Sequence, residues 1–410
     1  MAGAKVEALG EVIEETFIHS GPNVGYSRLA TLSPGESVKA IARTNNRRWV
    51  YVMSDKGQGW VAEGDLDLMG ALSLLPTWTG PTSGAEYVPL ADTKEMIELR
   101  SGPDRGYNKV GSLDAGVEVV VISRSSNRLW VFVESPVGNG WVEAEYLDIS
   151  AGVNPLPIWG EPMSGARFEP EAEVISAEII PILAGPRDGY NIIGELQPGT
   201  TGVLLARNGV WRYIKTASVS GWVERQHLDV DGTQNLLPIW REPTGGADYA
   251  PEVMIVGEDI YAISAPLEGY SETLFLPVGS TVKVLARSRN NRWYFINANG
   301  GQGWIPQEAV EGQVVRGLLP IWNAPMANAR YEPSATVKEE INVYKGPRPR
   351  VRDIIGQFDA GEQVKILARA NRNWFYVRGS SVEGWVQSAS LEHEATLGLL
   401  PIWRNPMGSE

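Results

Sequence analysis

The chain has 410 residues, 43% of them apolar, so it is too long for one ordinary domain and can bury several cores. Its formal net charge of −13 disfavours nucleic acid and anionic membranes as partners, because binding to phosphate needs a basic face. The absence of cysteine excludes disulfides, zinc–thiolate sites and a Cys-His hydrolase centre.

The start of the chain, MAGAKVEALGEVIEE, lacks the basic and apolar regions of a signal peptide. No run approaches eighteen apolar residues, so we expect no segment that spans a membrane.

Fifteen tryptophans recur in five triplets and define an internal repeat. The triplets are Trp49, Trp60 and Trp78; Trp130, Trp141 and Trp159; Trp211, Trp222 and Trp240; Trp293, Trp304 and Trp322; and Trp374, Trp385 and Trp403. Within every triplet the spacings are 11 and 18 residues, and the triplets repeat every 81 or 82 residues. A flexible linker tolerates insertions, so this constancy indicates packed modules. We place five modules at residues 1–79, 80–160, 161–241, 242–323 and 324–410.

Within a module the predicted elements follow in a fixed order. Each module opens with a motif such as Ile97–Pro103. A glycine turn follows, and then a run of β-branched residues that is predicted to form a strand, for example SVKAIAR at residues 37–43. A polar tip follows, with Asn208-Gly209 as a two-residue hairpin signal, and then a Trp-x-aromatic-Val/Ile strand, a second glycine turn and Gly-Trp-Val/Ile. Short strands with frequent turns and no helical period predict an all-β barrel or sandwich.

This order of motifs resembles the bacterial Src-homology-3-like (SH3b) domain. The fifth module carries it as INVYKGP, GQFDAGEQVKILAR, NWFYV and EGWVQ. The fourth module departs most, with Ala265-Pro266 in place of the starting Gly-Pro and Leu274 in place of a later glycine. The resemblance implies an all-β tandem array of five small SH3-like β-barrels, a location outside the cell or in the cell envelope, and cell-wall peptides among the ligands.

The segment Leu-Leu-Pro-x-Trp, with the variant PLPIW in the second module, lies outside that resemblance and closes every module. A barrel of this size buries a modest core, and the segment adds apolar surface that must be covered. We expect it to form a strap on its own barrel or at the junction with the next module, which would make the repeats a stiff array. The tryptophans expected to pack in this way are Trp78, Trp159, Trp240, Trp322 and Trp403.

Two sets of residues are candidates for binding. Gly-Tyr pairs follow the first strand of four modules, and their tyrosines are predicted either to line an aromatic ligand groove or to pack over their own barrels. These are Tyr26, Tyr107, Tyr190 and Tyr270, with Val351 near that place in the fifth module. Arginines at the hairpin tips are predicted either to meet carboxylates of a partner or to be solvated. They are Arg47, Arg48, Arg128, Arg289, Arg292 and Arg372.

The sequence does not predict an enzyme. His19, His227 and His393 occupy different positions of different modules, and the carboxylates are mostly non-recurrent. We therefore assign no catalytic residue, no metal ligand and no cofactor.

We predict a non-catalytic tandem-repeat binding or spacer protein, attached to or recognising a repetitive component of the bacterial cell surface. One alternative is the targeting arm of a cell-wall enzyme whose catalytic domain is absent. Another is a structural protein that assembles head to tail, because residues 1–7 are in phase with 163–169 and residues 406–408 begin the same motif again. The expected partners are a cell-wall or surface polymer, or other copies of the chain, and not nucleic acid.

Overall fold

A computed structural model of the protein describes residues 7–70, 72–348 and 353–403. In these ranges the regular elements are β-strands and short 3-10 turns, and none is a helix long and apolar enough to cross a membrane. The terminal segments 1–6 and 404–410, on which the head-to-tail alternative depends, lie outside the described residues, as does Val351.

In the described part of the chain, the strands form five sheets of seven strands each. The first sheet contains β1 (Ala8–Val12), β2 (Thr16–His19), β3 (Arg28–Leu32), β4 (Ser37–Arg43), β5 (Trp49–Ser54), β6 (Gly57–Ala62) and β7 (Leu66–Met69). The second contains β8 (Leu90–Thr93), β9 (Ile97–Arg100), β10 (Lys109–Leu113), β11 (Glu118–Arg124), β12 (Trp130–Ser135), β13 (Gly138–Glu143) and β14 (Leu147–Asp148). The third contains β15 (Glu171–Val174), β16 (Ile180–Leu183), β17 (Ile192–Leu196), β18 (Thr201–Asn208), β19 (Trp211–Lys215), β20 (Ser220–Glu224) and β21 (Leu228–Val230).

The last two sheets repeat the pattern. The fourth contains β22 (Glu252–Ile255), β23 (Ile260–Ile263), β24 (Glu272–Leu276), β25 (Thr281–Arg287), β26 (Trp293–Ala298), β27 (Gly301–Pro306) and β28 (Val310–Glu311). The fifth contains β29 (Ser334–Val337), β30 (Ile341–Tyr344), β31 (Ile354–Phe358), β32 (Gln363–Arg369), β33 (Trp374–Arg378), β34 (Glu383–Gln387) and β35 (Leu391–His393). The 3-10 turns are Glu63–Asp65, Leu72–Leu74, Ala144–Tyr146, Arg225–His227, Gln234–Leu236, Gln307–Ala309, Arg316–Leu318, Ser388–Ser390 and Leu397–Leu399.

One strand order recurs in all five sheets. In the first it is β3-β2-β6-β5-β4-β1-β7, and the paired strands are antiparallel. Alternation of buried and exposed positions along SVKAIAR sends Val38 and Ala40 into the core, where they meet Val50 and Val61 from the next two strands. The predicted all-β class, with five SH3-like modules in tandem, is confirmed.

The two long central strands of each module have a β-bulge. In the first module the register of β4 against β5 shifts between Ala40 and Ala42, and the same shift occurs in the other four. A bulge bends a strand and re-aims the residues beyond it. The predicted hairpin of the third module also forms, but Asn208 pairs with Trp211, so its loop residues are Gly209 and Val210, one position later than expected.

The chain divides into two compact units. The first comprises Met1–Pro181 and Glu195–Arg241, and it holds the first two sheets and most strands of the third. The second comprises Ile182–Gly194 and Glu242–Glu410, and it holds the fourth and fifth sheets.

Candidate functional site

The tryptophan that ends each Leu-Leu-Pro-x-Trp segment lies on an aromatic cluster of its own module. In the first module the ring of Trp78 packs on Tyr51 of β5 and on Trp60 of β6, with centroid distances of 4.7 and 5.3 Å. Trp60 is fully buried, whereas Trp78 keeps 39% of its surface exposed. The cluster therefore presents one indole face to solvent above a buried aromatic pair.

The same arrangement occurs in every module. The equivalent ring pairs are Phe132–Trp159 at 4.8 Å, Tyr213–Trp240 at 5.2 Å, Phe295–Trp322 at 4.3 Å and Tyr376–Trp403 at 5.2 Å. We call Trp78, Trp159, Trp240, Trp322 and Trp403 the outer tryptophans, and Trp60, Trp141, Trp222, Trp304 and Trp385 the inner tryptophans. The outer tryptophans are between 36% and 46% exposed.

Main-chain hydrogen bonds hold each outer tryptophan at the end of a strand. Trp78 N–H donates to the carbonyl oxygen of Arg43 at 2.9 Å, and Arg43 N–H donates to that of Pro76 at 3.0 Å. These two bonds form a parallel bridge between Arg43 and Thr77, and an equivalent bridge exists in each of the other modules. Leu75 lies in the core of the first module. The exposed ring is thus carried by a segment that lies on its own module.

An arginine that the sequence analysis did not assign to a site reaches the same segment. The side chain of Arg43 donates from Nε to the carbonyl oxygen of Leu72 at 3.1 Å. Arg207 donates to Leu237 in the third module at 3.2 Å, and Arg287 donates to Arg316 in the fourth at 2.8 Å. The signal in the sequence is that every β-branched run ends in arginine.

The structure places the four predicted tyrosines beside an aromatic residue of the following linker. The ring pairs are Tyr26–Tyr87 at 5.0 Å, Tyr107–Phe168 at 5.0 Å, Tyr190–Tyr249 at 5.2 Å and Tyr270–Tyr331 at 5.1 Å. Each pair also forms an isolated antiparallel bridge. Gly21 lies directly under the ring of Tyr26, where any larger residue would collide with the ring. Burial raises the pKa of all four tyrosine hydroxyls.

The linker aromatics also contact the turn after the last strand of the following module. Tyr87 donates its hydroxyl hydrogen to the carbonyl oxygens of Ala151 and Gly152, at 2.6 and 2.7 Å, and burial raises its pKa to about 12. In the second unit, the hydroxyl oxygen of Tyr249 accepts from Val315 N–H at 3.0 Å, and that of Tyr331 accepts from Thr396 N–H at 2.8 Å. One aromatic residue thus joins two modules at each of these places.

The linker after the second module has Phe168, which carries no hydroxyl. There the carboxylate of Asp104 accepts from Thr233 N–H, with distances of 3.0 and 3.2 Å to its two oxygens. Thr233, Val315 and Thr396 each lie four residues before the buried leucine of their Leu-Leu-Pro-x-Trp segments. The equivalent main-chain N–H group therefore has a side-chain acceptor in all three places, a carboxylate in one and a tyrosine hydroxyl in the other two.

A cavity of about 410 Å³ opens beside Asp104. Its lining includes the hairpin tip 128–130, the turn 143–145 and Gly232. Arg105 donates to both carboxylate oxygens of Glu143, at 2.6 and 2.9 Å, and this pair raises the pKa of the guanidinium. Of the six predicted hairpin arginines, all of which are exposed, Arg128 lines this cavity.

The histidines lie in separate modules and have structural contacts. His19 is buried, its Nδ1–H donates to the carbonyl oxygen of Tyr26 at 2.8 Å, and burial lowers its pKa. Nδ1 of His393 accepts from Ala395 N–H at 3.2 Å, and burial lowers its pKa as well. Across residues 7–70, 72–348 and 353–403, no group of three or more acidic or histidine side chains could hold a metal ion.

Five sheets of one topology, each with a Gly-Trp-Val/Ile strand beneath an aromatic cluster, define a tandem array of SH3-like modules. A family model described as the bacterial SH3 domain matches residues 14–67, 97–148 and 339–392. The chain therefore carries bacterial SH3 domains in its first, second and fifth modules, and the third and fourth modules repeat their topology. The resemblance inferred from the motifs is confirmed.

Two curated relatives illustrate what the chain is similar to. It is 25% identical over 335 residues to a protein of Bacillus subtilis (strain 168) named "Putative N-acetylmuramoyl-L-alanine amidase YrvJ", in a match that covers 78% of this chain and 60% of that protein. It is 24% identical over 203 residues to the human SH3 and PX domain-containing protein 2A, covering 43% of this chain and 16% of that protein. The chain thus spans less than two thirds of the length of either relative.

Among solved structures, the chain overlaps with NlpC2 from Trichomonas vaginalis at 8% identity, covering 58% of this chain and 100% of that chain. The TM-score of 0.14 is too low to indicate a shared fold.

Proposed function

We propose that this chain is a non-catalytic, multivalent array that binds a repetitive polymer of the bacterial cell wall. The observation that carries the proposal is the set of outer tryptophans, one per module, each with a partly exposed indole whose main chain is hydrogen-bonded to the end of a strand. Aromatic faces of this kind bind the apolar faces of neutral ligands, and five weak sites give high avidity for a ligand that is itself repetitive.

The charge and the similarities support this choice of partner. A net charge of −13 favours neutral sections of the wall over its anionic polymers. The bacterial SH3 domains and the relative named as an amidase of N-acetylmuramoyl-L-alanine are consistent with a place in the cell envelope.

In this proposal the residues near the junctions have a different role from the outer tryptophans. Tyr26 and its three equivalents hold the linker aromatics through ring contacts and backbone bridges, so they position neighbouring modules and do not contact the polymer. The modules at 1–79, 80–160, 161–241, 242–323 and 324–410 are the proposed units of binding.

Sedimentation with purified cell-wall sacculi tests the proposal. Replacing the outer tryptophans by leucine, one more in each successive variant, should lower the bound fraction stepwise while an apolar side chain still covers the inner tryptophan. The matched control replaces the exposed isoleucines beside them by threonine, the residue that the first module carries at this position as Thr77. The control residues are Ile158, Ile239, Ile321 and Ile402. The proposal would be refuted if a folded variant without outer tryptophans bound sacculi as well as the wild type does.

A second candidate is the targeting arm of a cell-wall enzyme, favoured by the match over 60% of the amidase-named relative. The two candidates share the binding function and differ in whether a catalytic domain acts beside the array. Incubation of the chain with sacculi, followed by assay of released amino groups and reducing ends, tests the non-catalytic part of the proposal. Release above that of a heat-denatured sample would contradict it.

A further inference from the structure

The inner tryptophan of the first module differs from the other four in one hydrogen bond. Trp60 donates from Nε1 to the carbonyl oxygen of Gly80 at 3.2 Å. The equivalent Nε1–H groups of the other inner tryptophans are buried and have no acceptor among the described residues; they belong to Trp141, Trp222, Trp304 and Trp385. These side chains are at most 1% exposed. A buried donor without an acceptor is unfavourable, and in the second, third and fourth modules the residues that follow the outer tryptophan are described and supply none.

Gly80 accounts for the difference. The chain turns back so closely over Trp78 that a Cβ at position 80 would lie 3.0 Å from the indole nitrogen of Trp78. The residue two places after the outer tryptophan of the second, third and fourth modules is Glu161, Glu242 and Ala324 respectively, and all of them carry a Cβ. A side chain at this position would require the outer ring to shift by a few tenths of an ångström, and in these modules the inner indole has no acceptor among the described residues. In the fifth module this position is Asn405, outside the described residues.

In the second and fourth modules the outer tryptophan packs on the ring of the inner tryptophan. The rings of Trp141 and Trp159 have centroids 5.5 Å apart, and those of Trp304 and Trp322 are 5.8 Å apart. The main chain of Trp159 is fixed by its hydrogen bond to Arg124 at 2.9 Å, whereas its ring is held by ring contacts and is partly exposed. The outer ring is therefore the part of this segment that rotation about the side-chain bonds can move while the strand end stays in place.

We propose that the outer indole turns aside to uncover the inner donor and that the second, third and fourth modules each bind an N-acetylated amino sugar at this position, an inference that rests on the proposed function and names its ligand class. The acetamido carbonyl oxygen accepts the hydrogen bond from the inner tryptophan, and the C–H face of the sugar ring packs on the outer tryptophan. The first module does not bind in this way, because Gly80 already occupies its donor.

The geometry favours this class over a peptide. A peptide carbonyl would satisfy the buried donor equally well, but it brings no flat C–H face to the neighbouring outer indole. A neutral sugar also suits the chain, because its negative charge disfavours anionic ligands.

The test uses the full chain with ¹⁵N in its fifteen indole groups, titrated with the tetramer of N-acetylglucosamine and observed by NMR. The matched probe is the glucose tetramer, which has the same ring and linkage but no acetamido group. Phenylalanine variants of each inner tryptophan assign the signals. We expect the acetylated tetramer to shift the signals of Trp141, Trp222 and Trp304 and to leave Trp60 unchanged, and the glucose tetramer to leave all these signals unchanged. Phenylalanine at the three responding positions together should weaken binding of the acetylated tetramer by about tenfold or more.

Two reciprocal substitutions keep the test independent of the phenylalanine variants, should those fold poorly. Gly80→Glu should free the donor of the first module, so that the Trp60 signal responds to the acetylated tetramer. Glu161→Gly should let the main chain reach Trp141 and abolish the response of that signal. Thermal unfolding checks that both variants are folded.

Several results would overturn the inference. They are no response of the inner signals, an equal response of all five, equal shifts with the glucose tetramer, or shifts with the tetrapeptide Ala-Glu-Lys-Ala in place of the sugar. The two proposals can be refuted independently. If the NMR signals of the inner tryptophans do not shift but the chain still binds sacculi, the inference alone is wrong. If the signals shift with the acetylated tetramer but the chain does not bind sacculi, the inference is supported and the proposed function is wrong.

Discussion

The buried leucine of the Leu-Leu-Pro-x-Trp segment provides a direct measure of how far that segment belongs to the core of its module. Leu75 is 2% exposed and lies in the cluster that contains Val38 and Val50, whereas its neighbour Leu74 is 65% exposed. Replacing a buried leucine by alanine removes packed atoms and leaves a cavity, at a cost of about 3 kcal/mol. Leu75→Ala should therefore destabilise the first module by about 3 kcal/mol, and Leu74→Ala by less than about 1 kcal/mol.

Hydrogen exchange with mass spectrometry measures the protection of the amides in each module separately within the full chain. A loss of about 3 kcal/mol lowers the protection of the amides in β4 and β5 by roughly a hundredfold where they exchange by unfolding of the module. The corresponding amides of β11 and β12 in the second module, whose own leucine is unchanged, serve as the internal control. Equal effects of Leu75→Ala and Leu74→Ala would refute the reasoning that the segment contributes to the core.

Two further predictions concern the first junction and the first module. Tyr87→Phe removes the hydroxyl that donates to Gly152, which should cost about 1 kcal/mol and speed hydrogen exchange in the turn 149–153; unchanged exchange would contradict the role assigned to that bond. His19 has a pKa lowered by burial from 6.5, so below pH 6.5 the unfolded module takes up a proton more readily than the folded one, and stability falls as the pH is lowered. Hydrogen-exchange rates of the first module, measured above and below pH 6.5 and corrected for the intrinsic pH dependence of exchange, test this loss of stability. The second module, which has no histidine, is the reference. An equal loss of protection in both modules would contradict the role assigned to His19.

The strands could be predicted because their signals are local. SVKAIAR alternates between core and surface and forms β4, and the run that begins at Trp49 forms β5, next to the Gly-Trp-Val strand β6. Turn glycines and β-branched residues act over a few positions, so one sequence suffices to place them. The bulge between Ala40 and Ala42 was not predicted because it depends on how two strands pair.

The contacts of the candidate site could not be predicted from the sequence, for a different reason. A strict repeat presents the same residue at the same position of each module, so a contact within a module and a contact to the next one leave identical patterns. Nothing in the sequence around Tyr26 distinguishes its own barrel from Tyr87 of the linker as the packing partner. The hydrogen bond from Trp60 to Gly80 was missed because it depends on the space above Trp78, which only the folded chain defines.

The aromatic linkers also bear on how such a chain can gain or lose modules. Tyr249 and Tyr331 accept from equivalent main-chain donors, so duplication of the fourth module in register would recreate its junction without any new side chain. The second module is not interchangeable in this sense, because Asp104 supplies the acceptor that Phe168 lacks. Placed before a tyrosine linker, Asp104 would compete with the hydroxyl for one donor and leave an acceptor unpaired. The second module is therefore suited to a position before a linker without a tyrosine hydroxyl, whereas a module such as the fourth can be duplicated without changing its junction contacts.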